Sequence, residues 1–290
     1  MAASVLALSP VAGCSAQSAD SRFGRYDLDA ARARQLALPV SLREVSGLAV
    51  AGDGALLAHD DETGAVSVID PRTGSVRPRW PDAVRDAAGQ AQRDAPRGDF
   101  EGIAVAEGHV ILSTSTGTLL EYAGESGATE RSVVTGLGSQ CELEGLEYDG
   151  ATQSLLLPCK QTRGSSLTGR LVIFAVPIAT LRPDSLPRVS VPFSSLFGDS
   201  VRGDALHPSA IAIDPRSGHL LVLAARERVL LEMTQRGALV RVARLSPHAH
   251  PQPEGIAILR DGTLAIADEG AGGRGRITLY PPLARGGGAP

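Results

Sequence analysis

Five times along its 290 residues the chain repeats one short phrase. The phrase is a polar or acidic residue, a second one two places on, a small residue and then an apolar run. Asp99-Phe-Glu-Gly-Ile-Ala-Val105 is the clearest copy, and Glu142-Leu-Glu-Gly-Leu-Glu147 and Gln252-Pro-Glu-Gly-Ile-Ala257 are two more. Glu44-Val-Ser-Gly-Leu-Ala49 and His207-Pro-Ser-Ala-Ile-Ala212 are weaker versions. The copies start at residues 44, 99, 142, 207 and 252. Each is followed by short apolar runs separated by turn residues, which is the pattern of strands and hairpins rather than helices. A strand-only repeat of roughly 40–50 residues is a propeller blade of four strands.

The expected fold is therefore all-β: a five-bladed β-propeller. Blade five has only three strands before the Gly/Pro-rich tail that starts at Pro281, so Arg25 to Leu38 is expected to supply its fourth. An N-terminal strand that closes the ring in this way leaves no exposed sheet edge at the join. The alternative is six blades, with the extra one in the insertion from Pro177 to Leu206. A second insertion, Ser75 to Gly98, should hold one short strand and a polar, partly helical loop. The domain plan is a leader and tether over 1–24, one propeller over 25–283 and a tail over 284–290.

Composition narrows the class. The chain is 43% hydrophobic with a net charge of −4 and no clustered basic face, which excludes a nucleic-acid footprint. The 33 glycines and 19 prolines suit many tight turns. Ala2 to Ala12 is small and apolar, and Val11-Ala12-Gly13-Cys14 has the aliphatic-small-small-Cys form of a bacterial lipoprotein cleavage site. No Arg or Lys precedes the apolar stretch, and a disordered leader with a chance cysteine is the alternative. No other segment approaches the roughly 20 apolar residues that span a membrane. The expectation is a monomer in the bacterial cell envelope, outside the cytoplasm and attached to the membrane only through lipid on Cys14.

With its Glu-Val-Ser-Gly-Leu-Ala, Asp-Phe-Glu-Gly-Ile-Ala, Cys-Glu-Leu-Glu-Gly-Leu…Leu-Pro-Cys-Lys and Pro-Glu-Gly-Ile-Ala…Ala-Asp-Glu-Gly series, the chain resembles the SdiA-regulated family of bacterial propellers from about Glu44 to Tyr280. The resemblance implies a fold and an envelope setting more than an activity. More distantly, the units are similar to those of calcium-dependent propeller hydrolases (gluconolactonases, paraoxonases) and esterase-like phytases.

The repeat also aligns the side chains that carry charge. Glu44, Asp99, Glu142, His207 and Gln252 share the first position, and Ser46, Glu101, Glu144, Ser209 and Glu254 the second. Residues two apart on a strand share a face, so the ten should form two stacked rings at one mouth of the central channel. Six acids among them, Glu44, Asp99, Glu101, Glu142, Glu144 and Glu254, cannot all ionise close together unless a cation joins them. Oxygen donors alone favour Ca²⁺ over zinc. The alternative is that these acids cap turns, bind backbone N–H groups or face water. The ends of the second strands should crowd the same mouth and include Asp60, Lys160 and Asp268. Lys160, the single lysine among 28 basic residues, is then a counter-charge for Glu142 and Glu144, or a contact for a substrate anion.

Cys141 and Cys159 fall on neighbouring strand positions. They form a disulfide in an exported protein, or stay as two buried thiols. His248, His250 and His207 either ligate a transition metal or sit in an exposed loop. Two functions remain: a ligand-binding or scaffold role toward a small molecule or envelope protein, with or without Ca²⁺ in the channel, or Ca²⁺-dependent hydrolysis of a lactone, ester or phosphoester.

Overall fold

The structure is a computed structural model that describes residues 21–80, 96–123, 128–197, 206–270 and 272–283. Cys14, the leader, the 284–290 tail and the section at 81–95 expected to be partly helical lie outside the described residues. Five four-stranded antiparallel blades follow one another around a ring. Blade one is Val45–Val50, Leu56–Asp60, Val66–Ile69 and Val76–Trp80. Blade two is Phe100–Ala106, His109–Thr114, Thr118–Ala123 and Ala128–Val134. The first strand of blade three is split into Cys141–Leu143 and Glu147–Asp149, before Ser154–Thr162, Arg170–Pro177 and Val189–Pro192. Blade four is Ala210–Ile213, Leu220–Ala224, Val229–Met233 and Leu239–Arg244. Pro253–Ile258, Leu264–Asp268 and Arg276–Tyr280 make blade five, and Arg34–Ala37 from the N-terminal side adds its fourth strand against Arg276–Tyr280. The insertion at 177–206 holds no sixth blade among its described residues; it carries the short helix Phe193–Phe197.

The core is divided into five wedges, one in each seam between blades. Ala104, Ile111 and Leu119 of blade two meet Leu155, Leu157 and Phe174 of blade three. Leu156, Leu171 and Ile173, the alternate residues of those same blade-three strands, face Val222 and Leu231 of blade four instead. Successive side chains on a strand point to opposite faces, and here both faces are buried. This is why the second and third strands read as continuous apolar runs. In the closing seam Leu36 and Leu38 pack with Leu56 and Ala58 of blade one and Ala265 and Ile277 of blade five. A small hairpin, Arg22–Phe23 with Tyr26–Asp27, inserts Phe23 and Tyr26 into the seam of blades four and five. Among the described residues no helix is long and apolar enough to cross a membrane.

Where the inner strands of blades two and three converge on their neighbours, the glycine of the repeat leaves no room for a side chain. A Cβ at Gly102 would lie 2.7 Å from the backbone carbon of Gly145 and 2.7 Å from Leu146 Cβ. One at Gly145 would lie 2.8 Å from Ala210 Cα, and Gly255 faces Leu48 and Gly47 at 3.1 and 3.3 Å. The glycines are thus required by close approach between blades, with Gly145 also at φ +85°. Gly102→Ala should force blades two and three apart and cost about 1–3 kcal/mol. The check is chemical denaturation: a shift in midpoint at constant slope is expected, with no such loss for Gly52→Ala, whose site has no atom within 4 Å and no left-handed φ.

Candidate functional site

The first strands bring the polar positions of the repeat to one mouth of the channel. The second-position residues lie deeper: Ser46, Glu144 and Ser209 are buried, and Glu101 and Glu254 are half-buried. Ser46 Oγ donates to Glu101 Oε2 at 2.9 Å, linking blades one and two, and Ser209 Oγ donates to the Pro253 carbonyl at 3.1 Å, linking four and five. Lys160, at the end of the second strand of blade three, donates to Glu144 Oε1 at 2.6 Å and lies 3.9 Å from Glu142. The first-position residues sit further out. Glu44 pairs with Arg43 at 3.2 Å, and exposed Asp99 accepts the Ser115 hydroxyl.

Crowding in a dry place moves the acids toward their neutral forms. Burial pushes Glu101 up to about 7, against the hydrogen bond from Ser46 and with Asp99 adding to it. Burial and the Glu269 charge push Glu254 up to about 8. Glu144 is raised well above the ordinary carboxylate value by burial, with Glu254 adding to it. Burial works against the Lys160 charge, but Glu144, Glu101 and Glu254 together hold the lysine above its usual value.

Beside this cluster a cavity of about 380 Å³ opens between blades three, four and five. Glu144, Lys160, His207, Ser209, Arg226, Arg228 and Glu254 are among its walls. The imidazole of His207 is held by Glu227, Nδ1 to Oε1 at 2.8 Å, while its Nε2 lies 3.4 Å from Arg226 Nη1. That pairing requires the Nδ1–H tautomer. Arg226 and Arg228 come from the turn between the second and third strands of blade four, where Arg228 has φ 51°. The corresponding turn of blade two uses Gly117 at φ 79°. An arginine at this left-handed position costs more than glycine would, and such rule-breaking residues gather at functional sites.

Two aspartates expected at the mouth are used elsewhere. Asp60 closes its own turn, accepting from the Glu62 and Thr63 amides and the Thr63 hydroxyl at 2.9–3.1 Å. Asp268 is fully buried and bonded to His250 Nδ1 at 2.8 Å, and His250 Nε2 lies 2.8 Å from Tyr280 Oη. Their neighbours Asp61 and Glu269 interact with the cluster instead, because successive residues of a strand face opposite ways. The histidines do not meet, since His250 is locked inside blade five and His207 is tied to Glu227. Cys141 and Cys159 are joined in a disulfide with Cα atoms 5.6 Å apart, tying the two strands that carry Glu142 and Lys160.

The acids expected to hold Ca²⁺ are Glu44, Asp99, Glu101, Glu142, Glu144 and Glu254. Among the described residues no three His, Cys, Asp or Glu side chains are placed to hold a metal ion. The positive charge within the acid cluster is the Lys160 ammonium.

Fold and site define a β-propeller with a mixed-charge pocket at its channel mouth. The SdiA-regulated family model matches residues 200–271, the stretch that holds blade four and the first two strands of blade five. No curated protein matches the chain. Among solved structures, the glutaminyl cyclase of Myxococcus xanthus superposes with a TM-score of 0.56 at 15% identity, covering 87% of this chain and 96% of that one. A gluconolactonase-like protein gives 0.50 at 12% identity, covering 87% and 82%. At these identities the likeness is one of fold.

The split strand of blade three carries one more acid, at a position that is alanine in the other copies: Ala49, Ala104, Ala212 and Ala257. Glu147 accepts from the Tyr148 amide at 2.8 Å and, across the seam, from the Ile213 amide at 3.3 Å. Burial pushes it up to about 7 from an unfolded value of 4.5. The folded state therefore holds the proton more tightly, so stability falls as pH rises from 4.5 to 7 and stays lower above that. The loss attached to Glu147 is of order 3 kcal/mol. In urea titrations between pH 5 and 8, Glu147→Gln should lose less stability than wild type and keep the slope due to the other raised acids, Glu101, Glu144, Glu254, Glu269 and Asp61.

Proposed function

We propose that the protein binds a small polar molecule at the channel mouth between blades three, four and five, as an envelope protein held to the membrane by lipid on Cys14. The observation that carries this is the single lysine. It is anchored on buried Glu144 in the wall of a 380 Å³ cavity that also presents Arg226, Arg228 and His207. A purely structural lysine does not need a cavity beside it, and a pocket with a few convergent polar groups is what small-molecule sites look like. The Val11-Ala12-Gly13-Cys14 pattern supports the location. Scanning fluorimetry of the full chain against polar metabolites tests the reading. A saturating ligand should raise Tm by about 5 °C in wild type and not in Lys160→Met. A ligand that stabilises both equally binds elsewhere and defeats the proposal.

One observation favours a second, catalytic reading. Glu101 and Glu254 are held near 7 and 8, the range in which a carboxyl can both give and take a proton at neutral pH. Hydrolysis of a lactone or ester by general acid–base catalysis, the type of substrate named for the gluconolactonase-like neighbour, fits such groups. Turnover of glucono-δ-lactone should then fall about 100-fold in Glu254→Gln and be indifferent to chelator. Equal rates in variant and wild type would remove this reading.

A further inference from the structure

One buried atom in the wall of this cavity has no hydrogen-bond partner among the described residues. Glu144 is 4% exposed; its Oε1 takes the bond from Lys160, while its Oε2 is buried and accepts no hydrogen bond. A buried carboxylate oxygen left in this state is costly, and a donor brought by a ligand would recover that cost. Glu144 and Glu254, from blades three and five, form the acidic side of the cavity, and an ammonium group brought there favours the ionised form of both. Across from them blade four presents Arg226 and Arg228, neither of which pairs with a described carboxylate; the nearby Glu227 is engaged through both oxygens by His207.

The cavity is thus divided by charge. A simple anion would satisfy the arginines and leave Glu144 Oε2 orphaned. A bare cation would do the reverse, and Lys160 already supplies one positive charge there. Resting on the reading that this cavity takes a small molecule, we propose that its ligand is a zwitterion. The ammonium group meets Glu144 Oε2 and Glu254, and the carboxylate meets Arg226 and Arg228. The chemistry is that of a free amino acid or a short peptide with both ends unblocked. A volume of about 380 Å³ has room for the longer of the two, since a water takes roughly 30 Å³.

Isothermal titration of the full chain at pH 7 tests this with L-alanine, L-alanyl-L-alanine, N-acetyl-L-alanyl-L-alanine, L-alanyl-L-alanine amide and CaCl₂ as probes. The free dipeptide is expected to bind, with alanine weaker, and blocking either end should weaken binding about tenfold or more. Glu144→Gln should weaken the free dipeptide about tenfold and change the acetylated compound little. Arg228→Gln, at an exposed position, should do the same for the free dipeptide and change the amide little. If the acetylated dipeptide binds as tightly as the free one, the zwitterion falls while a small-molecule site survives. If none of the amino compounds binds, the zwitterion falls too, and the metabolite screen decides the broader reading separately. Saturable Ca²⁺ binding that Glu144→Gln abolishes would overturn the proposal in favour of a metal.

Discussion

The structure depends on how closely five inner strands can approach one another. At Gly102 and Gly145 a Cβ would collide with the next blade's backbone, at Gly47 it would meet the His59 ring, at Gly255 it would be tight against Leu48, and blade four carries the next smallest residue, Ala210. Close approach brings each inner strand against the next, so that amides and carbonyls of neighbouring blades bond directly. Gly145 N reaches the Glu101 carbonyl at 2.6 Å and Phe100 N the Asp61 carbonyl at 2.7 Å. It also sets the width of the five wedges behind the ring, which are filled mostly by buried Leu, Ile, Val and Ala.

The same approach creates the electrostatic problem at the mouth. The residue before the small one must point toward its counterparts, and in three blades it is glutamate. Three carboxylates in one dry place cannot all stay ionised, because charge is poorly screened where water is excluded. Protonation and the Lys160 ammonium share the relief. The groups that result hold protons near neutral pH, a property useful for binding or for catalysis and absent from the same residues on an open surface.

Much of this was legible in the residues alone. Spacing of the five copies, turn glycines and apolar runs without helical period lead to five blades, and the missing fourth strand of blade five points to Arg34–Ala37. The pairing of Lys160 with Glu144 and of Cys141 with Cys159 follows from antiparallel register. Other parts were not legible. Asp60 and Asp268 look equivalent to Asp61 and Glu269 until the bulge that shifts the register near the start of each first strand decides which faces the mouth. Arg226 and Arg228 are two of many arginines, in a turn with no repeat signal. An arginine held at a left-handed φ is visible only in three dimensions. The histidines suggested a metal because they are close in sequence, yet one is buried between Asp268 and Tyr280 and another faces Glu227.

What the sequence determined by itself is the ring. Repetition of one strand unit, with a residue small enough for close approach in every copy, leaves few other ways to bury so many apolar runs. The site was decided by the tertiary structure, because its properties come from differences among the copies and from distances between them. A glutamate pushed to about 8, a lysine bound at 2.6 Å and a carboxylate oxygen without a partner are consequences of burial and proximity. Burial and proximity exist only once the five blades have closed.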